Sequence, residues 1–182
     1  EDFRLNYLVG LVHYRKAENK EAIPYLEKAL TIVPNDLNVL STLGIIYDNI
    51  FMDDDCERVY EQAFKYFPDN ILLMNNFAYH LAERGKKLQE ALVMSKKTID
   101  KEPENSSYLD TYGWILFKLK DYKNALIYCE KANRIGSNAE LLEHIGDIYE
   151  ALEEIPKALK HWKLSLDKDP TRTNLLQKID KY

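Results

Sequence analysis

His144 and Asp147 stand three residues apart in LLEHIGDIY, which on a helix puts an imidazole and a carboxylate on one face, the beginning of a metal site. One imidazole and one carboxylate are too few to hold an ion, so no metal is expected there. The run Asp53–Asp54–Asp55 lacks the alternating ligands and the glycine of a calcium loop. Asp55 or its neighbours are expected to cap the following helix and to favour its positive end. Two cysteines, Cys56 and Cys129, cannot form a disulfide framework or a zinc cage and read as small buried hydrophobes. The NSS at 105–107 sits before a helix, where Asn105 reads as an N-cap. There is no glycine-rich phosphate loop, no GxSxG, no HExxH and no paired CxxC. No catalytic residue, cofactor or metal is expected, and the chain reads as a non-enzyme.

Composition narrows the partners. A net charge of −5 and a pI near 5.5 disfavour general nucleic-acid binding, which needs a basic stripe to neutralise phosphates. With 46% hydrophobic and 30% charged residues, the chain suits a soluble folded protein. No apolar run reaches the ~20 residues of a membrane-spanning helix, so direct membrane insertion is not expected. The opening EDFRLNYL has mid-helix character and no initiator methionine, which suggests a fragment of a longer chain. The compartment is unassigned, with cytoplasm and bacterial periplasm both open.

The elements that position these residues recur. Small residues fall at Gly10, Gly44, Ala78, Gly113 and Gly146, in steps of 34, 34, 35 and 33. A second series runs Ala22, Cys56, Ala91, Ala125 and Ala158, and a third runs Pro34, Pro68, Pro103 and Pro170. The third lacks a member near Ser137, where the chain reads RIGSNAE. Three series in register at this period signal a helical solenoid. Within each unit the apolar spacing is helical, as in Leu40, Leu43, Gly44 and Tyr47. A polar turn and a second helix follow, and proline closes the unit because it cannot continue a helix. The small residues lie where paired helices approach closely, which offsets the ~1 kcal/mol that glycine costs inside a helix. The third unit has one extra residue in ERGKKLQ and carries Ser95 and Thr98 at positions where an aromatic and alanine are usual.

The pattern resembles the tetratricopeptide repeat, with a large residue, Leu, Gly and Tyr on the first helix and Ala, an aromatic and Pro on the second. The resemblance covers five units, 3–36, 37–70, 71–105, 106–138 and 139–172, followed by a cap at 173–182. It implies an all-α, right-handed helical-hairpin solenoid: one tetratricopeptide superhelical array over 1–182 with a short C-terminal capping helix. Thr171 or Thr173 is expected to start that helix, with Leu175, Leu176 and Ile179 on its apolar side. Segments such as NNFAYHLAERG resemble bacterial repeat scaffolds and imply a bacterial origin.

The resemblance also implies which face works, since first helices line a concave groove in this family. The residue after each repeated small residue points about 140° from the core side. The expected peptide-binding groove comprises Ser41, Ile45, Asn75, Tyr79, Asp110, Trp114, Phe117, Glu143, Asp147 and Glu150. Its centre is aromatic and its C-terminal end acidic, suiting a partner segment with an apolar anchor and basic residues. Phe117 lies only about 80° from the core centre, so packing against the next unit is its competing reading. The slots that clamp chaperone tails in some relatives hold Tyr7, Leu11, Ser41, Ile45, Leu72 and Asn76, without the basic residues that ligand class needs. The expected function is a non-catalytic protein–protein interaction scaffold. The alternatives are structural self-association, through the face around Phe3, Tyr7 and Tyr14, and an accessory segment of a larger enzyme or secretion-related protein.

Overall fold

The computed structural model describes residues 2–182, and the described residues form eleven α-helices and no strand. The helices are α1 (Phe3–Arg15), α2 (Asn19–Ile32), α3 (Leu37–Asn49), α4 (Asp53–Tyr66), α5 (Ile71–Glu83) and α6 (Leu88–Lys101). They continue with α7 (Ser106–Lys118), α8 (Tyr122–Ile135), α9 (Ala139–Ala151), α10 (Ile155–Lys168) and α11 (Asn174–Asp180). Each of the five windows read from the sequence holds one helical pair, and α11 lies in the expected cap. By compactness the chain divides into two units, Glu1–Phe77 and Ala78–Tyr182.

A fourth periodic series starts the first helix of each of the five pairs. The side chains of Asp2, Asp36, Asn70, Asn105 and Asn138 accept hydrogen bonds from backbone N–H groups two or three residues on, as Asn138 does from Leu141 at 2.8 Å. Each satisfies a donor that the first turn leaves unpaired. The second helix of each pair starts differently, out of a tight turn. Ala17, Phe51, Gly85, Lys120 and Glu153 occupy one register there and all have φ between 59° and 66°. The extra residue of the third unit is absorbed beside this turn by a second left-handed residue, Lys87 at φ 46°. Met52, and no aspartate, holds the N-cap position of α4; Asp53–Asp55 form its first turn, where their charge favours the helix's positive end.

Close approach within each pair explains the small residues. Ala22, Cys56, Ala91, Ala125 and Ala158 are all fully buried. A Cβ on Gly113 would stand 2.5 Å from Cys129 Sγ and 3.1 Å from the Ala125 carbonyl oxygen. One on Gly146 would stand 2.4 Å from two atoms of the Trp162 indole. The third unit breaks the glycine series with Ala78 and places the small Ser95 at the register that holds Leu26, Tyr60, Cys129 and Trp162 in the others. A smaller partner leaves room for the extra methyl. In Glu1–Phe77 the core gathers Leu26, Leu40, Leu43, Ile46 and Tyr60, and in Ala78–Tyr182 it includes Ile115, Leu141, Ile145 and Trp162.

Gly146→Ala tests this contact. Alanine gains about 1 kcal/mol of helix propensity, but overpacking against Trp162 costs about 1–3 kcal/mol. The expected result in urea denaturation is a net loss, and a rise in the midpoint would show that α9 and α10 separate freely.

Candidate functional site

The face expected to work is described unit by unit. In Glu1–Phe77, Ser41 and Ile45 are half-buried, while Asn75 is 7% exposed and its Oδ1 lacks a hydrogen-bond partner within the protein. The remaining seven predicted residues lie in Ala78–Tyr182, on α5, α7 and α9.

Trp114 is 6% exposed and belongs to the packed interior of this face. Its ring lies between those of His144, at 3.9 Å and 14°, and Phe117, at 4.7 Å and 11°. Its indole Nε1 donates to Glu83 Oε1 at 2.6 Å, and the Lys118 ammonium stands 4.6 Å from the ring centroid. Trp114 thus ties α5, α7 and α9 together. Its direction away from the pair's own core was legible in the sequence, but its cover by His144 of the next unit was not. Phe117 is half-buried by the same stack, so part of its ring faces solvent. Tyr79 is also half-buried and donates to Glu140 Oε1 at 2.8 Å.

Asp110 and His144 form the polar floor. His144 Nδ1 donates to Asp110 Oδ1 at 2.9 Å, and the Cys129 thiol donates weakly to the same oxygen at 3.9 Å. Burial opposes charge on His144, yet Asp110, with Glu140 and Glu83 behind it, outweighs burial and holds the imidazole above its usual range. Burial, then Asp110, pushes the Cys129 thiol well up, so Cys129 stays neutral and unreactive. Among the described residues no group of three or more His, Cys, Asp or Glu is arranged to hold a metal ion.

The acids of α9 already have partners. Glu143 meets Arg172 at 2.7 Å, Lys178 Nζ at 3.0 Å and the Asn174 amide at 2.9 Å. Asp147 accepts from Lys178 at 2.6 and 2.8 Å and from Trp162 Nε1 at 2.9 Å. Glu150 accepts from Lys181 at 2.8 Å and from the Tyr182 hydroxyl at 2.9 Å. Burial raises the Glu143 carboxyl, but Arg172 and Lys178 more than offset it; at Asp147 burial prevails and the net shift is upward. The expected cap is therefore fastened chiefly by charge. Leu175 is fully buried and Ile179 half-buried, whereas Leu176 is 50% exposed and not part of the apolar side. Thr173 takes the N-cap position of α11 without a side-chain bond, and Thr171 instead donates to Asp169. The signal missed in the sequence was the spacing of Arg172, Lys178 and Lys181, about thirty residues after the acids of α9.

These bonds follow a rule. Counted from Gly113 and Gly146, Asp110 and Glu143 each lie three residues before the small residue. His144 lies two before Gly146, and Lys178 holds the same place if the 34-residue step is continued to Asp180. An acid on one first helix therefore bonds a base on the next, and α11 stands where a further first helix would begin.

Two measurements probe the floor. Trp114→Ala should lose about 3 kcal/mol in denaturant unfolding, the usual cost of deleting a buried aromatic. The His144–Asp110 pair also predicts a pH dependence. Because the folded pKa of His144 is raised, its stabilisation is complete below about pH 6.5 and is lost as pH rises through the raised value. His144→Gln should flatten the unfolding free energy across that window, and an unchanged slope would remove the pair from the account.

The tetratricopeptide repeat family model matches residues 3–36 and 106–135, which contain α1–α2 and α7–α8. TPR repeat-containing protein PA4667 of Pseudomonas aeruginosa is 26% identical over 134 residues, 71% of this chain and 22% of that protein. Type IV pilus assembly protein PilF of the same organism is 25% identical over 154 residues, 81% of this chain and 60% of that protein. The chain thus spans less than two thirds of either relative. Among solved structures, the thermophilic TPR protein TTC0263 of Thermus thermophilus superposes with a TM-score of 0.82 at 15% identity, covering 99% of this chain and 98% of that one. MamA of Desulfovibrio magneticus superposes with a TM-score of 0.73 at 15% identity, covering 93% and 96%. At these identities the structures share the fold. Two windows match the family model, the same hairpin recurs in register between and beyond them, and the chain has the fold of these tetratricopeptide-repeat structures.

Proposed function

We propose that the chain is a non-catalytic protein-interaction scaffold whose partner docks, as an extended or helical segment, on the first-helix face. The observation that carries this reading is the half-exposed aromatic pair Tyr79 and Phe117 over a floor made rigid by Trp114, His144 and Asp110. Aromatics held in place by a stacked, hydrogen-bonded layer lose little entropy on contact and are typical of binding hot spots. Glu83 and Glu140 lie at the edge of this patch and favour a basic partner. Trp114 and Asp110 act here as support, while Glu143, Asp147 and Glu150 provide the acidic end. In Glu1–Phe77, Ser41, Ile45 and Asn75 hold the corresponding positions.

The repeat architecture, and relatives described as TPR proteins or as a pilus assembly protein, support a protein partner. Among the described residues no helix is long and apolar enough to cross a membrane. A photo-crosslinking residue placed at Phe117 is expected to capture a discrete partner from source-cell extract, and the same residue at Lys160, exposed on the second helix of its pair, is not. Equal capture at both positions, or at Lys160 alone, would move the working surface to another face.

A further inference from the structure

The acidic end of this face is covered by residues 172–182 of the same chain, and the covering segment is weakly built. α11 has seven residues, well below the ~12–15 at which an isolated helix becomes marginally stable. Only Leu175 is fully buried, and no side chain caps the helix N-terminus. The hold comes largely from charge: Arg172 on Glu143, Lys178 on Glu143 and Asp147, and Lys181 on Glu150. These pairs are only partly sheltered, with Lys178 30% and Lys181 62% exposed, so salt and competing cations reach them.

The covering residues also carry a pattern. Arg172, Leu175, Lys178 and Lys181 recur every three residues, one apolar anchor among three cations. On the other side, Glu143, Asp147 and Glu150 line one face of α9 at steps of four and three. The charges on the two sides are complementary.

We propose that α11 is a displaceable occupant of the α9 acidic strip, and that its replacement in trans is a basic amphipathic helix with Lys or Arg at three- and four-residue steps beside an apolar anchor. This rests on the reading of the first-helix face as the docking surface and names the class of segment that enters at its acidic end. Tethering gives α11 an effective concentration that short ligands cannot match. A longer helix prevails by continuing along the face toward Phe117 and Tyr79, beyond the acids of α9 that the C-terminal segment holds. The array then has a latched state and an open state, and apparent affinity for the trans helix falls by the fraction of molecules that are open.

The test uses the whole chain and a synthetic helical peptide of about 18 residues whose Arg, Lys and Leu residues recur at three- and four-residue steps along one face, with a Lys-to-Glu version as control. The double variant Leu175→Ala/Lys178→Ala is expected to bind the basic peptide at least about tenfold more tightly than the unaltered chain, and Glu143→Gln/Asp147→Asn to abolish binding. In the unaltered chain, saturating peptide should speed hydrogen exchange of the α11 amides and slow that of α9, a readout that does not depend on any variant folding. Equal affinity for the unaltered and unlatched chains, α11 amides that stay protected at saturation, or no binding to either chain overturns the proposal. If any of these occurs while the Phe117 crosslink still captures a partner, the latch alone is wrong. If the crosslink fails as well, the docking face itself is wrong.

Discussion

The distance between paired helices is the constraint on which the first-helix face depends. Where Gly113 faces Cys129 and Gly146 faces Trp162, the absent Cβ lets two backbones approach until a side chain of one fills the notch in the other. That fixes how each first helix is rotated, and rotation decides which side chains reach the next pair. Asp110 meets His144, and Trp114 lies flat on the same imidazole, because α7 and α9 are each held down on their own partner helix. A looser pair would turn these residues away, and the stacked layer between repeats would not form.

The polar contacts between repeats are a second layer built on this geometry. Four ionic links hold the C-terminal segment to α9, and one joins Asp110 to His144. Their environments differ. The Asp110–His144 pair is enclosed, so burial and attraction compete strongly there, and removing one partner strands the other. The links to α11 are wetter and individually weak. One rule of pairing therefore produces a rigid joint in the middle of Ala78–Tyr182 and a soft one at its end.

Much of the fold was legible because packing within a pair is local in sequence. Gly113 and Cys129 are sixteen residues apart, and the spacing that joins them recurs often enough to be seen. The site was less legible because its contacts cross from one pair to the next. Nothing near Trp114 in the sequence announces that His144, thirty residues later, will cover it. The bases that meet Glu143 and Glu150 lie about thirty residues beyond them, in a segment whose apolar pattern suggested a hydrophobic cap. Leu176 fits that pattern and still faces solvent. The caps at Asp2, Asp36, Asn70, Asn105 and Asn138 were visible as a periodic series, and only Asn105 stood out, since short polar residues before helices are common.

The turns between paired helices have a practical consequence. Five residues share one left-handed register, yet Gly85 is the only glycine among them, and an alanine, a phenylalanine, a lysine and a glutamate accept the same backbone at the other four. The flanking helices must dictate this conformation, since the local sequence does not favour it. One of the five turns already carries an additional residue, and α5 and α6 keep the lengths of their counterparts in the other repeats. These loops are therefore natural points for inserting a fluorophore, an epitope or a tethering peptide, because length added there stays outside the stack and leaves the register of every helix intact.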